Sequence, residues 1–534
     1  MSHSSISQRF LNRRHFLQLM GGASSVWLLA ACAAPAPSSQ SSSASQAEAQ
    51  VPSVPRRGGL LRLAPSDVLI SLDPGFFVAY ADLIFCMAVY ESLVWVDPMD
   101  TTLALRPRLA ESWTANDDYT SWTFQLRPGV QFHHGTPFTA RDVAYTFERI
   151  LDPTLGSSAA FIFQFIDAVA AVDDLTVRFD LSAPHAHLPY WLTAENLALI
   201  VPHDRSLDEM TSQPSGTGPF RFVAYDPGSR LSLARNESYW QEGLPYLDEV
   251  QHLYIPDANT QVAVLTSGGL DVIPQVGMAN RANLEQIPGI DLVELPQGTY
   301  DVFAMNTQIA PFDDVRVRQA LKLVVDRPGL RQVVLGGRGE LGADQPFPSF
   351  SPFWAGSPPS ERDVEQAREL LAAAGYADGV DVTMVTTELS PGLVDASVAL
   401  QEMAKTAGFN ITLERVPLDS YWVDYYRQAQ LYVSIWNTRS DPDFMLTMGY
   451  HPDGPFNDAN WVNPEMVSLL IEARETADKE KLKEIYARMQ QLIQTEGGVI
   501  IPYFRPLLMA KRSQVQGMPL DFYVDVRAAW LAEA

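Results

Sequence analysis

Trp122, Phe124 and Leu126 alternate with Thr123 and Gln125, the two-residue period of a strand that buries one face. Val177-Arg178-Phe179-Asp180-Leu181 and Phe220-Arg221-Phe222 repeat that period. Elsewhere the spacing is helical. Val364, Ala367, Leu370, Leu371 and Ala374 share one helix face, preceded by Ser360-Glu361-Arg362-Asp363, a capping box with Asp in place of Glu. Gly375 then supplies a stop. Asn463-Pro464-Glu465 gives a second helix its cap, first-turn proline and favourable charge. Leu482, Ile485, Met489, Leu492 and Ile493 form the core stripe of a third. Strand and helix signals alternate along the chain, which predicts an α/β fold.

The N-terminal residues follow neither period. Arg13-Arg14 precede the apolar run Leu19–Ala31, which is short for a bilayer span and ends in small residues. Residues 1–31 read as a secretory signal, and the arginine pair before Phe16-Leu17 resembles a twin-arginine export signal. Leu29-Ala30-Ala31-Cys32 resembles the bacterial lipobox, in which Cys32 becomes the lipid-bearing first residue. Each buried methylene of an acyl chain contributes about 0.8 kcal/mol, so several chains tether a protein without a transmembrane helix. The alternative is an ordinary signal with an accidental cysteine. Residues 32–57, rich in Ser, Ala, Pro and Gln, bury too little to offset their ordering entropy. They are expected to form a disordered tether reaching about 25–30 Å.

From Gly58 onward there is enough chain for two or three domains. Aromatic residues make up 10% of the sequence, leaving flat surfaces available for a ligand pocket. The formal charge is −25, and residues 1–31 hold three arginines and no acid, so the remainder stands three units lower, at −28. Such a polyanion is a poor partner for nucleic acid or anionic lipid. With Cys32 lipidated, Cys86 has no partner and reads as a small buried apolar residue within Leu83–Val89.

Arg106-Pro107-Arg108-Leu109-Ala110-Glu111-Ser112-Trp113, then Trp122–His133, then Gly135–Val143 form a dense block of motifs. Leu72-Asp73-Pro74, Tyr90-Glu91-Ser92-Leu93, Gly216-Thr217-Gly218-Pro219-Phe220 and Asn306 with Pro311–Ala320 stand in order around it. Asp441-Pro442-Asp443 and Glu496–Pro502 complete the series. Across residues 59–534 the chain resembles the bacterial ABC-importer solute-binding proteins for dipeptides, oligopeptides and nickel, family 5. The resemblance implies a two-lobed periplasmic-binding-protein type fold with mixed sheets, an extra domain and a ligand cleft between lobes. The implied division is residues 58–85, 216–300 and 501–534 for lobe I, 86–215 for the extra domain and 301–500 for lobe II. It also implies hinge closure over a small solute, a peptide or peptide-like molecule, delivered to ABC permease subunits and their ATPase. A monomer held to the membrane only by its lipid is expected, on the outer side of that membrane.

The family's dipeptide binders anchor a free amino group with an aspartate just after a tryptophan of lobe II. Here that stretch is Ser434-Ile435-Trp436-Asn437-Thr438-Arg439-Ser440-Asp441-Pro442-Asp443, with Arg439 at or beside the aspartate's place. The arginine that such binders use for the peptide carboxylate, ahead of a helix expected here at 395–406, has no counterpart in Ser390–Val394. A simple dipeptide ligand is thereby put in question, and a non-peptide acidic solute (an opine, a sugar or similar) is the alternative. Two readings of Arg439 stand: Trp436 stacks on the ligand while Arg439 pairs with its acidic group, or Arg439 pairs with Asp441 or Asp443 and braces the loop. Phe77, Tyr80 and Asp82 follow the family's entry loop and are candidates for the cleft wall.

A secreted hydrolase is the rival class, but Gly-x-Ser-x-Gly, His-Glu-x-x-His and Gly-Lys-Ser/Thr motifs are absent from the sequence. Asp117-Asp118, Asp173-Asp174 and Asp313-Asp314 read as turn or cap residues. Metal binding is the second rival, on the close histidines His133-His134 and His185-Ala186-His187, but on a strand the first two would face opposite ways, and the resemblance implies an architectural role for His133. No catalytic residue, metal or cofactor is called for.

Overall fold

The computed structural model describes residues 54–533 except residues 77, 78, 98, 99, 101, 158, 438 and 440. The expected signal segment, Cys32, most of the tether and Phe77 lie outside the described residues.

A twelve-stranded sheet organises the molecule. At its centre the long strands Ile290–Met305 and Tyr503–Arg512 pair antiparallel. Val272–Ile273, Leu60–Leu63, Glu249–Leu253, Arg230–Arg235 and Phe220–Asp226 continue the sheet on one side. Leu431–Asn437, Val380–Thr386 and Phe409–Arg415 continue it on the other. The central pair runs from one hydrophobic core into the next. Tyr300, Val302, Phe303 and Phe504 pack in a core otherwise drawn from residues 302–503, together with Leu400, Leu431 and Met489. Met509 packs in another with Leu61, Phe85, Val250 and Val526. The helix Tyr80–Val89 lies within that second core and straddles the boundary expected after residue 85. Between the cores the register of the central pair shifts, from Leu295 to Thr299. Pro296 has no N–H for the ladder and Gly298 no side chain to pack, so pairing lapses there.

A third core belongs to an antiparallel sheet of Ala110–Ala115, Ser121–Leu126, Thr176–Leu181 and Ile166–Asp173. Trp122, Phe124 and Leu126 all point into it, as their period predicts, and Phe124 meets Phe179 edge-on at 5.4 Å. Phe444 and Met448, from the helix Pro442–Tyr450, insert into this core, whereas Met445 and Leu446 of the same helix face the 302–503 core.

The helix expected over 364–374 is found at Val364–Ala373, capped by Asp363 rather than Ser360, because the Asp363 carboxylate accepts the Gln366 N–H directly. Asn463 caps Pro464–Glu475 as expected. His133 and His134 sit in a turn, not on a strand. His133 Nε2 lies 2.9 Å from the Gly218 carbonyl and His134 Nδ1 2.7 Å from the Ser215 hydroxyl. Gly216 and Gly218 press on the Val89 backbone, where any Cβ would collide. Buried Glu91 beside them accepts from Thr217, Tyr239 and Trp240 and pairs with Arg108 at 3.3 Å.

Candidate solute-binding cleft

A cavity of about 210 Å³ opens where the central strands lose register. Pro296, Gln297 and Gly298 form one wall, and Asp521, Phe522 and Tyr523 form another. Asn437, the last residue of the strand Leu431–Asn437, Arg439 just beyond it, and Phe350 close the remaining side. The walls are therefore drawn from the register lapse and from segments far apart in sequence.

Each wall is held by named bonds. Thr299 Oγ1 donates to Asn437 Oδ1 at 2.6 Å, fixing the strand end. Asp521 Oδ1 accepts the backbone N–H groups of Tyr523 and Val524, both at 2.9 Å, which turns the loop. Tyr523 donates its hydroxyl to Glu195 at 2.7 Å. Tyr80 packs its ring on Phe522 at 4.7 Å and donates its hydroxyl to the Phe522 carbonyl at 2.8 Å.

The charges in this region are handled unevenly. Arg505 enters the neighbourhood of Ser390 from the second central strand, a placement the local sequence around Ser390 cannot reveal. Its Nε donates to Asp301 Oδ1 at 2.9 Å and its guanidinium also donates to Ser390 Oγ, while Tyr503 donates to the same aspartate. Arg505 is thus neutralised. Asp443 is neutralised too: Arg474 Nε sits 2.9 Å from its Oδ2 and His185 Nε2 3.2 Å away. Burial is the largest single influence and opposes the Asp443 charge, yet Arg474 and His185 together outweigh it and hold the carboxyl well below its usual range. Asp441, whose Oδ1 caps Pro442–Tyr450, goes the other way: burial and the Asp443 charge push it well above that range.

Arg439 has no such arrangement. Neither Asp441 nor Asp443 lies within ion-pair distance of it, and its Nε is buried without a hydrogen-bond partner among the described residues. Its guanidinium faces the Phe444 ring at 5.8 Å and borders the cleft. Of the other residues expected at the site, Trp436 donates Nε1 to Asp458 at 2.7 Å and lies edge-on to Phe456, over Gly449. It packs behind the wall, as Asp441 and Tyr80 do. Asp521, Tyr523, Asn437 and Phe350 carried no signal of their own in the sequence. Among the described residues no group of three or more His, Cys, Asp or Glu is placed to hold a metal.

Residues 104–457 match the family model of bacterial extracellular solute-binding proteins, family 5. The chain belongs to family 5 of these proteins. A relative, heme-binding protein A of Haemophilus influenzae, is 31% identical over 76% of this chain and 80% of its own length. Glutathione-binding protein GsiB of Pectobacterium atrosepticum is 26% identical over 80% of this chain and 84% of its own. In fold, the periplasmic binding protein DppA of Helicobacter pylori, solved with the peptide STSA, superposes with a TM-score of 0.77 at 24% identity, covering 90% of this chain and 99% of that one. As a family 5 protein the chain is a solute-binding receptor of an ABC importer, working outside the cytoplasmic membrane, and not an enzyme. No helix of the described residues is long and apolar enough to cross a membrane.

Proposed function

We propose that this receptor carries a small peptide or peptide-like solute whose acidic group is held by Arg439. The observation that supports this is the guanidinium itself, bordering the cleft with no ion pair to a carboxylate among the described residues. Within this partly buried fork Nε is left without a hydrogen-bond partner, and a solute carboxylate supplies two acceptors in the plane of the fork. The alternative, in which Arg439 braces its own loop by pairing with Asp441 or Asp443, has no ion pair behind it among the described residues, Asp443 being held by Arg474. Tyr80 and Trp436 act from behind, the first through Phe522 and the second through the strand that ends at Asn437. The three cores are assigned to lobe I, the extra domain and lobe II. Closure bends the central strands at Pro296–Gly298, where their register lapses.

GsiB is named for glutathione, a tripeptide with free carboxylates, which agrees with this solute class. Heme-binding protein A favours a second reading, a non-peptide acidic solute, because heme also presents carboxylates to a cation. Mass spectrometry of small molecules released on denaturing the purified receptor separates the two. A stoichiometric peptide carrying a free carboxylate is the expected result. A neutral or purely cationic molecule overturns the assignment of Arg439.

We place the working receptor as a monomer on the outer face of the membrane, exported through the arginine-pair signal and tethered by lipid on Cys32. Cys32→Ser is expected to release it from the membrane fraction into the soluble one; retention in the membrane defeats the lipid assignment.

A further inference from the structure

The cleft contains a second group that its surroundings leave unsatisfied. Asp521 is only 4% exposed and lines the same cavity as Arg439. Its Oδ1 is used by the turn, but Oδ2 has no hydrogen bond from any described residue. No Arg, Lys or His lies within 4 Å of it among the described residues. The other acids nearby differ. Asp525 pairs with Arg527 and faces Arg108 at 3.8 Å, and Asp100, at the rim, pairs with Arg106 at 3.0 Å. Glu195 receives the Tyr523 hydroxyl. Burial and the Asp525 charge push the Asp521 carboxyl up to about 7, so its surroundings do not welcome the charge they hold.

Arg439 and Asp521 belong to different segments, one following Leu431–Asn437 and one following Tyr503–Arg512. They are not within ion-pair distance of each other, so neither neutralises the other. We infer that Asp521 is the second pole of the cleft and receives a cationic group, such as a free amine, on the solute whose acidic group Arg439 holds. This rests on the reading of Arg439 above and extends it: the receptor selects a zwitterionic solute and disfavours a purely anionic one. A solute spanning both groups also ties these two segments together, so its binding energy favours the closed form.

The test measures melting temperature of the purified receptor with three mixed tripeptide pools: free termini, N-acetylated, and C-amidated. Asp521→Asn is the companion variant, since Asn keeps the acceptor for the Tyr523 and Val524 N–H groups and so preserves the turn. The free pool is expected to raise the melting temperature of the parent protein. N-acetylation should weaken apparent affinity at least about tenfold, an effect lost in Asp521→Asn. An N-acetylated pool as good as the free one overturns the role of Asp521 while leaving Arg439 standing. A C-amidated pool as good as the free one overturns the role of Arg439 instead. No shift with any pool overturns both.

Discussion

Arg474 and Arg439 both meet the first turn of Pro442–Tyr450, and the protein treats them in opposite ways. Arg474 docks on Asp443 with two hydrogen bonds from Nε and one to Thr447, next to His185 at the edge of the third core. Arg439 passes the ring of Phe444 and borders the cleft without an ion pair to any carboxylate among the described residues. A fully buried ion such as Asp443 must be paired, and leaving it unpaired costs several kcal/mol, whereas Arg439 is only partly buried. At the first position the chain supplies the counter-charge during folding. At the second it leaves that to the solute. Fold stability and solute affinity should therefore separate cleanly between the two arginines.

The largest expected effect breaks the first arrangement. Arg474→Leu strands the Asp443 carboxylate in a fully buried setting, and loss of one partner of such a pair costs about 3–5 kcal/mol. The measurement is chemical or thermal unfolding, with a marked loss of stability expected. Little change would mean that His185 and the helix N-terminus suffice for Asp443, and the comparison with Arg439 would lose its reference point.

Arg439→Ala sharpens the same comparison from the other side. Stability should change by less than about 1 kcal/mol, because no folded-state partner is orphaned. Solute affinity, read by calorimetry with the ligand recovered from the receptor, should fall at least about thirtyfold, the effect of removing one member of a buried charge pair. A variant that melts early yet binds normally would reverse the assignment and return Arg439 to the loop.

The sequence made the elements legible where a period governs them. The alternation at Trp122–Leu126 and the stripe Leu482–Ile493 both survive because each has a single buried face. The family motifs were legible as well, but what they encode is mostly architecture. Glu91, Arg108, Gly216 and Gly218 build one buried junction, and Asn306 donates to the Arg427 carbonyl. The cleft was legible only at Arg439. Its other walls come from Pro296, Phe350, Asn437 and Asp521, residues brought together where two long antiparallel strands lose register, and no local spacing records that meeting. Trp436 misleads for a related reason: an aromatic beside a polar loop suits a stacking platform, yet Gly449 and Asp458 give this indole a place behind the wall.

A smaller effect follows from the sign of two titrations. Asp443 titrates below its usual range, so its stabilising contribution is full above a pH of about 4 and is lost as pH falls further. Asp521 does the reverse. With its carboxyl at about 7 in the folded state, the folded protein retains a proton that the unfolded chain has released between pH of about 4 and 7. Stability should therefore decline as pH rises through that window, by at most about 1.4 kcal/mol per unit. Asp521→Asn should make the decline shallower by the share of Asp521, leaving that of Asp441 and the acid limb due to Asp443 in place. An amine-bearing solute needs Asp521 ionised, so its affinity should rise with pH over the same interval and level off above it. Unfolding and binding curves at several pH values check both signs.

The smallest effect concerns Tyr80, which was a candidate for the wall and is found supporting it. Its hydroxyl bonds the Phe522 carbonyl and its ring backs the Phe522 ring, so any influence on the solute passes through that loop. Tyr80→Phe keeps the ring and deletes one hydrogen bond, worth about 0.5–1.5 kcal/mol of stability. Affinity should fall less than about threefold, as the loop is still turned by Asp521 and anchored by Tyr523 on Glu195. If affinity instead drops tenfold while the melting temperature stays put, the hydroxyl touches the solute directly. The cleft would then reach past Phe522 to the helix Tyr80–Val89, and its acidic side would extend beyond Asp521.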